Sequence, residues 1–156
     1  MSHTTRHDLL LGKSAFNQMR NLVYHLQRFM QSQNCNTEDV KKRCLSMGQN
    51  IGATFAQEIS PKGTNPTELL PELYSLTMTS KVKITQDGAK ILVADEKCPL
   101  CKYQYSDIKI PGCTITVGMI SELLVRNGYV VKNSGVKKSK TLGNSECVHE
   151  FEIVKK

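Results

Sequence analysis

The spacing of apolar residues changes period near residue 80, and that change restricts the chain to a fold with a helical first half and a sheet-rich second half. Upstream, Phe16, Met19, Val23, Leu26 and Met30 recur at steps of three and four, with Leu22 and Phe29 widening the stripe, which predicts a long amphipathic helix. After the break at "NCNT", Thr37 can cap a second helix whose first turn holds Glu38 and Asp39 on the positive end of its dipole. Its stripe is Val40, Cys44, Met47, Ile51, Phe55 and Ile59. Gly48 and Gly52 lie on or beside that stripe, one turn apart. Each costs a helix about 1 kcal/mol, so the pair implies a close backbone approach, either within the domain or across a helix-to-helix dimer contact. Asn65 caps and Pro66 opens a third helix whose buried row is Leu69, Leu70, Leu73 and Leu76, with Pro71 bending or delaying it.

From Lys81 the period is two. "KVKIT" and "KILVA" alternate around "QDGA", where Asp87-Gly88 predicts the hairpin turn. A third strand is expected at "CKYQYSD", followed by a helix through Ile115, Met119, Leu123 and Leu124 that Gly128 terminates. The chain closes with the strand "YVVK", a basic solvated loop containing Lys132, Lys137, Lys138 and Lys140, and the strand "CVHEFEIV". On that last strand Cys147, His149, Phe151 and Ile153 share one face, while Glu150 and Glu152 take the other. The expectation is an α+β fold, an antiparallel sheet covered by helices with an amino-terminal helical pair, in one domain over residues 1–156. Within it, residues 1–36 are the first helix, 37–79 the remaining helical part and 80–156 the part that carries most of the cysteines.

At 156 residues such a domain buries enough surface to fold without disulfides. No window approaches the ~18 consecutive apolar residues of a membrane span, and the first residues lack the order of a signal peptide. The reading is a cytoplasmic protein whose cysteines are reduced unless something binds them. The net charge of +7 is uneven: residues 1–78 carry 8 Lys and Arg against 6 Asp and Glu, whereas residues 79–156 carry 13 against 8. An anionic partner would therefore meet the second half, although a solvated basic surface accounts for the same numbers. No aromatic residue interleaves the lysines of "KNSGVKKSK", so nucleic acid is not expected and any membrane contact is peripheral.

Chemistry concentrates in the cysteines. Cys98 and Cys101 form a Cys-x-x-Cys knuckle whose Pro99 favours a bend that points both sulfurs to one side, the arrangement two thiolates need to share a tetrahedral ion. Thioredoxin-like chemistry would place the pair at the start of a helix in a βαβ unit, and here it lies between strands. Cys113 opens a helix and Cys147 opens the last strand. The competing reading is that these are reduced cysteines acting as small buried hydrophobes, which is also how Cys35 and Cys44 are read. His3, His7 and His25 have no partners at metal spacing and are read as surface residues. No phosphate-cradling loop, nicotinamide or flavin fingerprint or Ser/His/Asp set occurs, and nothing marks Glu122 as a general base, so an enzyme is not expected.

The segments "EDVKKRCLSMGQNIGATFAQEI", "EKCPLCKY", "PGCTITVGMISELL" and "LGNSECVHEFEIV" follow one another in an order that resembles the 4-vinyl reductase domain superfamily, over residues 38–154. That superfamily includes archaeal and bacterial ligand-binding domains, sensory domains of aromatic-responsive regulators and core subunits of the eukaryotic TRAPP vesicle-tethering complex. The resemblance implies a helix-covered antiparallel sheet, a homodimer or hetero-oligomer formed through the helices, and an apolar internal pocket for a hydrophobic small molecule or acyl chain. It also implies that Cys113 and Cys147 match the first and last zinc ligands of the aromatic-sensing relatives. Those relatives place a Glu-x-x-Cys between them, and residues 129–144 contain neither Glu nor Cys. Either zinc is absent, or Cys98 and Cys101 complete a four-thiolate site with Cys113 and Cys147, with His149 the alternative fourth ligand. One branch of TRAPP subunits carries an acyl chain on a cysteine between the second and third helices, and residues 60–65 have none. Two functions follow as expectations: a non-catalytic small-ligand-binding domain with a structural zinc, or a TRAPP-like protein-interaction subunit.

Overall fold

In the computed structural model, which describes residues 5–155, three helices come first: α1 (Arg6–Ser32), α2 (Thr37–Phe55) and α3 (Pro66–Met78). The hairpin β1 (Lys83–Asp87) and β2 (Lys90–Asp95) precedes α4 (Cys113–Arg126), and β3 (Tyr129–Lys138), a short 3-10 turn (Lys140–Leu142) and β4 (Cys147–Lys155) complete the order. The four strands make one antiparallel sheet in the order β1-β2-β4-β3, so the last strand is inserted between the hairpin and β3.

Local chemistry sets the helix starts. Thr5 and Asp8 form a reciprocal capping box on α1, and the Asn65 side chain accepts from the Glu68 N–H at the start of α3. The cap of α2 is Asn36, one residue before the expected Thr37, because the Asn36 side chain reaches the Asp39 N–H. Pro66 occupies the first turn of α3, and the helix runs through Pro71 to Met78 without delay. α2 ends at Phe55, short of Ile59. Gly88 takes a φ of +58°, and Asp87 pairs with Lys90, so the hairpin turn is Gly88-Ala89, one residue later than expected.

The core forms where α4 lies between the sheet and α2. Nearly every residue of α4 from Cys113 to Leu124 is buried, which suits a helix that is covered on both sides. Gly48 and Gly52 face α4: a Cβ on Gly48 would stand 2.1 Å from the Ile115 carbonyl oxygen, and one on Gly118 of α4 would stand 2.3 Å from that of Leu45. The glycines therefore serve a contact inside the chain, and the dimer seam suggested as their alternative role is not what they form. On β4, Cys147, His149 and Phe151 are wholly buried and Ile153 nearly so, as the alternation predicted.

Three expectations fail for tertiary reasons. The "CKYQYSD" segment is not a strand; residues 96–112 form an irregular loop gripped by α1. Arg20 donates to the Pro99 carbonyl at 2.7 Å, Tyr24 to that of Leu100 at 2.8 Å, and Arg28 pairs with Asp107 at 2.6 Å. The guanidiniums of Arg20 and Arg28 also sit over the rings of Tyr103 and Tyr105, so the alternating tyrosines meet a helix and not a sheet neighbour. The basic segment "KNSGVKK" is not a loop but most of β3, paired to β4 with irregularities between Val131 and Asn133 and between Val136 and Lys138. Finally, Leu22 and Phe29 do not widen the buried stripe of α1. They are 67% and 61% exposed, Leu26 of the expected stripe is 38% and Leu76 of the expected α3 row 47% exposed, and the buried line of α1 runs through Arg20, Val23, Tyr24 and Gln27.

Candidate metal centre

Three elements meet at the sheet end of the core. Cys98 lies three residues beyond the end of β2, and a turn closes over Pro99 and Leu100 when the Cys101 N–H donates to the Cys98 carbonyl at 3.3 Å. Cys113 is the first residue of α4 and Cys147 the first of β4, where it pairs with Asp95 at the end of β2. All four sulfurs lie within 4.8 Å of one another, and all four residues are buried. A tetrahedral site with metal–sulfur bonds of about 2.3 Å has sulfur–sulfur edges of about 3.8 Å, so the four can hold one metal ion after small adjustments.

The surroundings act unequally on the four thiols. The Cys113 N–H, at the positive end of α4, points at Cys101 Sγ from 3.4 Å. Hydrogen bonding from Cys113 pulls the Cys101 thiol down to about 6, and bonds from Cys101, Cys113 and Cys98 hold Cys147 far below the ordinary thiol range. Burial pushes Cys113 up, and the bond with Cys101 does the same to Cys98. Two of the four thiols are thus pulled down and two pushed up, and a bound cation would favour the thiolate form of all four. The Ser139 hydroxyl lies 4.0 Å from Cys113 Sγ and 3.8 Å from Cys147 Sγ. Nothing in the run "VKKSK" marks that serine, which the fold carries inward at the end of β3.

His149 stands two residues further along β4, on the same face. Its Nδ1 lies 2.6 Å from the Tyr74 hydroxyl of α3, while Nε2 is buried without a partner among the described residues. The four sulfurs form a set without it. Tyr74, sequence-silent within a leucine row, thus orients the histidine. Asp95 is also buried; one carboxylate oxygen accepts from the Lys97 N–H at 3.0 Å and the other has no partner among the described residues, and burial raises its pKa.

Outside the cluster wraps Tyr24 of α1. Its hydroxyl meets the Leu100 carbonyl at 2.8 Å, Thr141 Oγ1 at 2.8 Å and the Gly112 N–H at 3.3 Å, so one residue joins the helix to the knuckle, to the start of α4 and to the loop before β4. His7 and His25 are exposed, as expected, and His3 lies outside the described residues. Cys44 is buried in the core and Cys35 is half-buried, both away from the four-sulfur group.

A separate apolar pocket of about 200 Å³ lies among α1, α2, α3 and α4, lined by Phe16, Met19, Ile51, Phe55, Met78 and Met119. Thr116 also lines it, and its buried hydroxyl has no partner among the described residues. No helix among the described residues is long and apolar enough to cross a membrane.

No protein-family model matches the chain. No curated protein matches it either. Among solved structures, subunit 3 of the trafficking protein particle complex from Naegleria fowleri, covalently bound to palmitic acid, is similar over 92% of this chain and 97% of that one. The TM-score is 0.72 at 14% sequence identity. The chain therefore has the α+β fold of a TRAPP subunit, with the 4-vinyl reductase side of the sequence resemblance left unmatched.

Proposed function

We propose that the chain is a TRAPP-like protein-interaction subunit whose second half is tied together by a structural zinc. The observation that carries this reading is the fold likeness to a trafficking-complex subunit along nearly the full length of both chains. A further one supports it: α1 turns Leu22, Leu26 and Phe29 to the surface at steps of four and three, an apolar row suited to a helix of a second copy or a related subunit. Light scattering at tens of micromolar tests it. A dimer is expected, and Leu22→Asp with Phe29→Asp should make it monomeric without lowering its melting temperature. A wild-type monomer whose solubility and mass those changes leave untouched would sink the reading.

Zinc suits the cysteine cluster because it takes four thiolates tetrahedrally and, in a closed set, leaves no position open for substrate. When bound it would hold the ends of β2, α4 and β4 as one unit, with Cys98, Cys101, Cys113 and Cys147 as ligands and His149 held by Tyr74 behind them. Elemental analysis of untagged protein should find about one zinc per chain. Much less than that, with no gain in melting temperature on adding zinc, would leave the cysteines as core sulfur.

Small-ligand binding is the second reading. The pocket near Thr116 supports it, but at about 200 Å³ it falls below the roughly 300–1,000 Å³ usual for ligand sites. Residues 56–65, between α2 and α3, contain no cysteine, so an acyl chain would have to be held there without a thioester. A native mass spectrum that retains a small apolar molecule would favour this second reading.

A further inference from the structure

β3 is an edge strand, with β4 on one side and no strand on the other among the described residues. No backbone hydrogen bond outside the sheet involves residues 129–138, so the outward N–H and C=O groups of this edge are unpaired among the described residues. Alongside it two clefts, of about 400 and 310 Å³, run end to end and share Asn133 and Ser134. Together they follow the strand from Val131 to Lys138, a length of about 23 Å at about 3.3 Å per residue.

The far wall is α2. Glu38, Lys41 and Leu45 line the first cleft and Gln49 the second; these positions are three and four apart, so one face of the helix borders the whole groove. α2 is held against α4 by the glycine contacts, and Thr114 and Ser121 of α4 line the space between α2 and the strand. A slot bounded by a free strand edge and a parallel-running helix face is the build that accepts an extended peptide by strand addition.

Charge selects the occupant. Lys137 is paired with Glu150 at 3.0 Å, Lys41 lies 3.9 Å from Glu38, and Glu122 is engaged by Arg126 at 2.8 Å. Lys109, Lys132 and Lys138 border the same groove without a carboxylate in salt-bridge range among the described residues. A second copy of β3 would bring lysines against lysines, the usual device by which an edge resists self-pairing. An acidic strand meets no such penalty.

We propose that the groove between β3 and α2 docks an extended acidic segment of a partner polypeptide, added to the sheet as a fifth strand with its carboxylates on Lys109, Lys132 and Lys138. This surface is independent of the cysteine centre and of the exposed face of α1.

The test uses a fluorescein-labelled octapeptide of alternating Thr and Asp, and the same peptide N-methylated at every second amide, which keeps the charge but cannot form a ladder. The full chain should bind the first at least tenfold more tightly than the second, and binding should slow amide exchange in residues 131–138. Lys132→Glu with Lys138→Glu, both at exposed positions, should weaken it at least tenfold with the melting temperature unchanged. Equal binding of the N-methylated peptide would reduce the contact to charge attraction and overturn the proposal. So would protection confined to other elements, no binding at 1 mM, or tighter binding of an oligothymidylate of matching charge.

Discussion

Alanine at position 48 places a methyl group where the backbone of another helix already stands. Its Cβ would lie 2.1 Å from the Ile115 carbonyl oxygen, 2.8 Å from the Met119 nitrogen and 3.0 Å from the Gly118 Cα. All three atoms are main chain of the buried helix α4, so no side chain can swing aside and α2 itself must shift. Overpacking of this kind costs about 1–3 kcal/mol, and a main-chain obstruction belongs at the upper end. Alanine recovers about 1 kcal/mol of helix propensity, which leaves a net loss of about 2 kcal/mol. Gly12 supplies the control, because it lies within α1 with nothing within 4 Å of its Cβ position. Gly12→Ala should therefore stabilise by up to about 1 kcal/mol. With a urea slope of about 2 kcal/mol per molar, Gly48→Ala should lower the unfolding midpoint by about 1 M, and Gly12→Ala should raise it by about 0.5 M. If the two substitutions shift the midpoint equally and in the same direction, the close approach of α2 to α4 is not a feature of this protein.

Tyr24→Phe deletes the hydroxyl that joins α1 to Leu100, Thr141 and Gly112, and should cost about 2 kcal/mol while speeding amide exchange in α1; unchanged exchange there would show that the helix is held by other contacts. Cys98→Ser with Cys101→Ser should abolish metal binding and, since a thiolate site exists only in the folded chain, lower stability by several kcal/mol; a variant as stable as chelator-treated wild type fits, and one as stable as metal-replete wild type does not. Burial raises the Cys44 thiol to about 11, so its neutral form is favoured in the fold. That contribution is complete below pH 9 and is lost as pH rises from about 9 towards 11, by up to about 3 kcal/mol. Urea midpoints of wild type minus Cys44→Ala across that range should show this slope, and a flat difference would refute it.

Much of the architecture was legible because its signals are local. The Asn65 cap, the glycine that ends α4 and the alternation of Cys147, His149, Phe151 and Ile153 act through neighbours within a few positions of the same element. The three larger misreadings share one cause. "CKYQYSD" alternates as a strand would, yet its tyrosines lie under arginines of α1 some 80 residues earlier in the chain, as the 79-residue separation of Arg28 and Asp107 shows. "KNSGVKK" is polar enough for a loop, yet β4 offers it a ladder, and irregularities on either side of Asn133–Val136 accommodate it. Leu22 and Phe29 belong to a helical stripe by spacing, but no element among the described residues covers them.

For the cysteine centre the division is sharper. Residue type and the Cys-x-x-Cys bend were determined by the sequence alone, because both sulfurs of a knuckle belong to one short turn. Which of Cys147 and His149 lies beside them depends on strand register, while Cys113 comes to them as the first residue of α4. Cys147 pairs with Asp95, three residues before Cys98, and so lands beside the knuckle. His149 pairs with Val93, and two residues along a strand are about 7 Å, enough to carry it to Tyr74 instead. Both candidates share one face of β4; the register of β4 on β2, together with the packing of α3 against the sheet, sets which of them lies nearer the knuckle.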